Sequence, residues 1–248
     1  MELKYHQKTF ELLNLQPRFS QGAYLKLENL KTEKDIIIPA SILEWYSLEN
    51  AIELLSQHSN DDYFVKVEDF GKPSYTNEDL AAEGFLLFMI ENQAVCEWAV
   101  KLNNSDDPPV FARDVDVKKW ELCAEKFSTF VWTLAFDWSR FRQMGSYLLY
   151  ANAEPIKESE ISELQNLFQE EPRTYVFPGK VTYRFSQQDK RIHIWQNPGQ
   201  ADWNISANSS QSLFELVQKI WHLSDLKDSL FAVDDFGEII LKRLKSKE

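Results

Sequence analysis

An α+β fold is predicted by three features of the chain. The stretch PASILEWYSLENAIELLSQ carries apolar residues at helical spacing. The stretch FLLFMIENQAVCEWAVKL reads as an apolar strand, a polar turn and a returning strand. The order hairpin, third strand, helix then recurs over 181–223 with unlike residues, so it is taken as an order common to α+β proteins rather than a duplication.

The first helix is marked by Ile42, Trp45, Leu48, Ile52 and Leu55, starts at Pro39 or Ser41, and ends in the turn-formers HSNDD. Ser41 followed by Glu44 has the spacing of a capping box. YFVKVEDF is the next strand, and KPSYTNED is a loop leading to a short helical turn at 78–83. FLLFMI is uniformly apolar, as a strand covered on both faces would be. After the turn ENQ, the return strand alternates: Ala94, Cys96, Trp98, Val100 and Leu102 on one face, and Val95, Glu97, Ala99 and Lys101 on the other. Cys96 shares the oilier face, where a thiolate is disfavoured, so it reads as packing rather than as a nucleophile. Beyond the loop NNSDDPP comes a third strand, VFARDV. A long helix then runs from Trp120 through Cys123, Phe127, Phe130, Val131 and Leu134 to Trp138; Thr129, Trp132 and Phe136 on its other faces predict burial on more than one side.

In the second half an acidic helix presents Ile161, Leu164 and Phe168 inward. KVTYRF and RIHIWQ form a hairpin through SQQDK, and NPGQ leads into ADWNIS. The helix SLFELVQKIWHL buries Leu213, Leu216, Val217 and Ile220, with Ser212 and Glu215 as a second capping box. LFAVDDFGEIILKRL reads as two strands around a turn at Gly237.

The balance of 27 basic against 39 acidic residues, net −12, argues against a phosphate-tracking surface and makes a basic protein partner easier, while a net negative charge of this kind mostly serves solubility. Eight tryptophans imply large packed cores or an aromatic contact surface. The two cysteines lack CxxC spacing, the N-terminus MELKYHQKTFELL suits a docking helix better than a targeting peptide, and no apolar run approaches the ~20 residues of a membrane span. The expectation is a cytoplasmic protein that binds no nucleic acid and no membrane, with neither cofactor nor metal.

Chemical motifs are weak. DFG occurs at 69–71 and 235–237 without a glycine-rich phosphate loop or an HRD, so each reads as a turn ending a strand. His6, His58, His193 and His222 have no ligand spacing, and His193 is expected at the surface. Ser146 in MGSY carries no sign of a nucleophile elbow. The paired acids at 61–62, 106–107, 170–171 and 234–235 read as solvated turns. In NNSDDPPV the prolines stiffen the backbone beside Asp106 and Asp107. Such a loop either grips a basic partner at low entropic cost or simply ends a strand.

PASILEWYSLENAIELL, GFLLFMIENQAVCEWAVKLNNSDDPPVF and FSTFVWTLAFD, taken in that order and spacing, resemble the SMI1/KNR4-like proteins of the SUKH superfamily over roughly residues 35–140. Many members have glycine in or after the hairpin turn where this chain has Ala94, which requires Asn92 to take the left-handed conformation. The resemblance implies an SMI1/KNR4-like domain over 20–140, with a mostly antiparallel central sheet flanked by helices, and no catalytic residues. Residues 141–248 are then an additional α+β half. It implies a non-enzymatic protein-binding module, either an immunity protein that occludes a cognate toxin such as a nuclease, or a cytosolic scaffold or regulatory hub. Glu91, Asn92, Asp106 and Asp107 are the expected contacts with a basic partner, and Trp45 and Trp98 the anchors if exposed. A different class, a small-molecule-binding protein or enzyme with its site between the two halves, would need a deep pocket holding a pair among His58, Asp61, Asp106 and Asp107.

Overall fold

A computed structural model describes residues 2–34, 36–57, 59–72, 80–139 and 147–246. The chain is α+β and divides into two units, Met1–Ser139 and Arg140–Glu248, each with its own antiparallel sheet. His58 and Ser146 lie outside the described residues, as does part of the helical turn expected at 78–83.

The first unit opens with helices Gln7–Leu13 (α1), Gln21–Lys34 (α2), Ala40–Tyr46 (α3) and Ala51–Ser56 (α4). Strands Tyr63–Phe64 (β1), Phe85–Ile90 (β2), Cys96–Lys101 (β3), Val110–Asp114 (β4) and Glu121–Ala124 (β5) follow, and helix Phe127–Trp138 (α5) closes the unit. The strands pair in chain order as a meander. All six residues of β2 are buried, as its uniform apolarity predicts. Phe88 meets Phe127 and Phe130 edge to face at 5.1 and 5.5 Å, and Trp98 lies 6.3 Å from Phe130, so α5 covers this face of the sheet.

The opposite face is closed by charge. Glu97 and Arg113 are cross-strand partners with contacts of 2.8 and 2.9 Å, and their side chains are 0% and 2% exposed. The guanidinium lies 4.6 Å from the Trp120 ring, which stacks on Phe85 at 4.8 Å. Cys96 is therefore buried beside an equally buried polar face, and burial pushes its thiol pKa well up.

Four expectations for this unit are corrected. The helix expected from Ile42 to Leu55 is two helices, because segment 18–20 takes the backbone groups that a continuous helix would use. Ser20 N–H donates to Ser47 O and Glu49 N–H to Arg18 O, both at 2.8 Å, and Asn50 turns the chain at φ 57°. The helix expected from Trp120 begins at Phe127, since 121–124 pairs with β4; a short apolar run satisfies both periods, and the free edge of β4 decides. Asn92 is not the left-handed residue of the hairpin: Ala94 is, at φ 58°. YFVKVEDF is extended only at β1 and then enters a 3₁₀ turn, Val67–Asp69.

The second unit comprises Tyr147–Ala153 (β6), Glu158–Leu167 (α6), Gln169–Tyr175 (β7), Val181–Gln187 (β8), Lys190–Asn197 (β9) and Gln200–Ala207 (β10). Ser210–Ile220 (α7), Leu226–Ser229 (α8), Leu230–Phe231 (β11) and Asp235–Lys245 (α9) complete it. The strand order is β11-β6-β10-β9-β8-β7, all neighbours antiparallel. Leu149, Phe185, Ile194, Trp203 and Ile205 form a core with Leu213, Leu216, Val217 and Ile220 of α7 and Ile240, Leu241 and Leu244 of α9.

Here too the sequence expectations need correction. The last segment is not a strand pair: Asp234 caps α9 by accepting from Gly237 N–H at 2.7 Å, so this Asp-Phe-Gly opens a helix. The cap of α7 is Ser209, which accepts from Ser212 N–H at 3.1 Å, while Glu215 reaches Lys190 at 3.2 Å. His193 is buried, stacked on Trp195 at 5.6 Å, on a sheet face shared with Arg184 and Asn204. Among the described residues no helix is long and apolar enough to cross a membrane.

Candidate interaction surface

The six residues expected at a partner surface do not come together. Trp45 and Trp98 are 1% and 3% exposed, which removes the condition on which they would act as anchors. The remaining four sit at opposite ends of β3, because the turn 91–95 precedes that strand and the loop 102–109 follows it. Six residues at ~3.3 Å each put the two groups ~20 Å apart.

At the loop end, the acids are structural. Asp107 accepts from Ser128 N–H at 3.0 Å and from the Ser128 hydroxyl at 2.6 Å, capping the first turn of α5 from outside the helix. Asp106 O accepts from Ser41 N–H at 2.8 Å. The Asp106 carboxylate is exposed, accepts from the Tyr5 hydroxyl at 3.2 Å and lies 3.7 Å from Lys4 Nζ. Glu44 does not form a capping box with Ser41. Its carboxylate turns to the N-terminal segment and accepts from the backbone N–H groups of Lys4, Tyr5 and His6 at 2.7 to 2.9 Å. His6 is fully buried against Trp45 at 4.8 Å, donates from Nε2 to Ser41 O at 2.9 Å, and has its pKa lowered, chiefly by burial.

The turn end is the more exposed and more acidic. Glu91 faces inward and accepts from Gln93 N–H at 2.7 Å, so it shapes the turn rather than projecting from it. Asn92 is exposed and donates from Nδ2 to Asn60 O at 2.6 Å, tying the hairpin to the chain entering β1. Asp62 Oδ1 accepts from Asn92 N–H at 3.3 Å. Burial pushes the Asp62 carboxyl up to about 6, with the charges of Glu91 and Asp61 acting in the same direction. The β4–β5 turn joins this end, since Val115 N–H donates to Val95 O at 3.1 Å. It carries exposed Asp114 and Asp116, with Asp114 Oδ1 accepting from the N–H groups of Asp116 and Val117 at 2.8 and 3.1 Å, and ends in exposed Lys118 and Lys119, the latter 3.5 Å from Glu121, so five acids against two lysines leave this end net acidic.

Three apolar side chains stand among these acids: Tyr63, Val95 and Val117, 49%, 46% and 66% exposed. Sequence reasoning placed Val95 only by strand alternation and missed Tyr63, Val117, Asp114 and Asp116. The signal available for the last pair was the Asp-Val-Asp-Val run after VFAR, which has the composition of a turn.

Two shallow depressions of about 470 and 540 Å³ flank α4, and neither is lined by Asp61, Asp106 or Asp107. Among the described residues, no group of three His, Cys, Asp or Glu side chains could hold a metal ion. Comparison with family models, with curated proteins and with solved structures finds no match to this chain.

Proposed function

We propose that the chain is a non-enzymatic protein-binding module of the SMI1/KNR4-like type, acting in the cytoplasm by covering a basic protein partner, as an immunity protein covers a toxin. The observation that carries this reading is the turn end of the first sheet, where exposed Tyr63, Val95 and Val117 are set among Asp61, Asp62, Asp114 and Asp116. Apolar area supplies affinity and the surrounding charge supplies orientation and selectivity for a basic surface. The net charge of −12 adds long-range attraction of the same sign.

The test is recovery of a partner by the tagged full-length protein from its native lysate at increasing salt. One dominant basic protein, lost as salt rises, is the expected result. Asp61→Lys with Asp116→Lys should lower recovery at least tenfold, whereas Asp106→Lys, at the far end of the sheet, should leave it unchanged. With the Asp62 carboxyl neutral below about pH 6, binding should also strengthen as pH rises through that value. Salt-insensitive recovery, or equal loss in the Asp106→Lys protein, would overturn the assignment of this surface.

A further inference from the structure

The second unit carries an apolar face that the packing of its core leaves outside. Helix α9 turns Gly237, Ile240, Leu241 and Leu244 inward. On its outer side Phe236 and Ile239 are 61% and 63% exposed, and Val233, just before the helix, is 66% exposed. The preceding edge strand β11 adds Phe231, 39% exposed. The two aromatic rings are held in place: Phe236 meets Tyr147 edge to face at 5.7 Å, and Phe231 stacks on Tyr150 at 5.8 Å. A fixed apolar face loses little entropy when it is covered.

The charge on this helix is divided. Asp235 and Glu238 lie in its first turn, and Lys242, Arg243 and Lys245 in its last. Asp235, Ile239, Lys242 and Ser246 recur at i, i+4, i+7 and i+11, so acid, apolar and basic side chains follow one another along a single line. A uniformly basic partner would meet repulsion at one end and a uniformly acidic surface at the other. A surface with the same order of charges, laid antiparallel, meets none.

We infer that α9 is a self-association surface, occupied by α9 of a second copy of this chain across a two-fold axis near Ile239. In that arrangement the residues pair reciprocally, as an isologous contact requires. Asp235 lies ~6 Å along the axis on one side of Ile239 and Lys242 ~4.5 Å on the other, at 1.5 Å per residue. An antiparallel partner therefore brings its Lys242 level with Asp235 and Phe236, giving two symmetric contacts of ammonium with carboxylate and aromatic ring. Phe231 and Val233 precede Asp235 and add apolar area at the two ends of the contact. Four apolar side chains per copy make a small patch beside the ~800 Å² per partner of a standard interface, so the dimer forms in a concentration-dependent way.

Sedimentation of the full chain from about 1 to several hundred micromolar, the range in which an interface of this size is filled, reads the association directly. The mass should rise toward that of a dimer. Ile239→Asp should abolish the rise, and Lys242→Glu or Asp235→Lys alone should weaken it at least tenfold. Asp235→Lys and Lys242→Glu together restore the order of opposite charges and should return most of the loss, which a disturbed fold would not do. Ile239→Cys, oxidised, should give a covalent dimer. A monomer throughout the range, or a double variant as weak as the singles, would overturn the inference.

Discussion

Glu97 and Arg113 show how a residue pair can be hidden from a reading of hydrophobic pattern. Both are charged in strands whose neighbours are apolar, and alternation assigns Glu97 to the less oily side of β3. The structure buries the pair completely and seals it with Trp120. A buried ion pair contributes little net stability over an apolar pair of similar volume, but removing one partner strands the other charge away from water. Arg113→Met should therefore cost about 3–5 kcal/mol in urea unfolding, and Glu97→Leu with Arg113→Met should recover most of it. Cys96 lies on the opposite face of the sheet with its thiol held neutral by burial, so the alternation that marked it as packing identified its environment correctly.

At the scale of elements, the two Asp-Phe-Gly triplets separate local composition from context. Both contain a turn-former, but at Asp69 the triplet closes a 3₁₀ turn with Gly71 at φ 69°, while at Asp235 it opens α9. The glycine in the second is required by approach: a Cβ on Gly237 would lie 2.7 Å from Ala232 Cβ and 3.1 Å from Leu148 O. Gly237→Ala should thus destabilise the protein by about 1–3 kcal/mol, although alanine is the better helix former, because the overlap is with backbone and a short side chain. Thermal unfolding of the single variant checks the sign.

Elements whose pattern agreed with their surroundings were legible from sequence: the buried strand β2, the hairpin β8–β9, and the inward residues of α7. Those decided by distant backbone were not. The break between α3 and α4 depends on residues 18–20, and β5 exists because β4 offers an edge. Helix α2 and strands β6 and β7 had no clear period in sequence, and Pro172 is tolerated in β7 because that strand is an edge. The proposed interaction surface was half legible for a similar reason. Asn92 announced a turn, but which other turns share its end follows only from the strand order.

For the molecule as a whole, two titrating groups in the first unit, half-buried Asp62 and buried His6, act on stability in opposite senses. Asp62 is raised from its ordinary 3.8 to about 6, so the folded state holds its proton more tightly than the unfolded chain does. Its contribution is present below 3.8 and lost as pH rises through about 6. His6 is lowered from 6.5, so its contribution is present above 6.5 and lost as pH falls. Asp62→Asn removes the first effect and leaves the second. The variant should be more stable than the parent at pH 7 and equal to it below 3.8, with a steeper loss between 6.5 and 5, as read by urea unfolding at a series of pH values.

The Glu44 carboxylate grips three successive backbone N–H groups, at Lys4, Tyr5 and His6, and not their side chains. A hold of that kind does not depend on what the gripped residues are. Positions 4 and 5 can drift through many amino acids, proline excepted since it brings no N–H, while the anchor persists. The burden of sequence memory falls on Glu44 and on His6, the one gripped residue whose side chain is also enclosed.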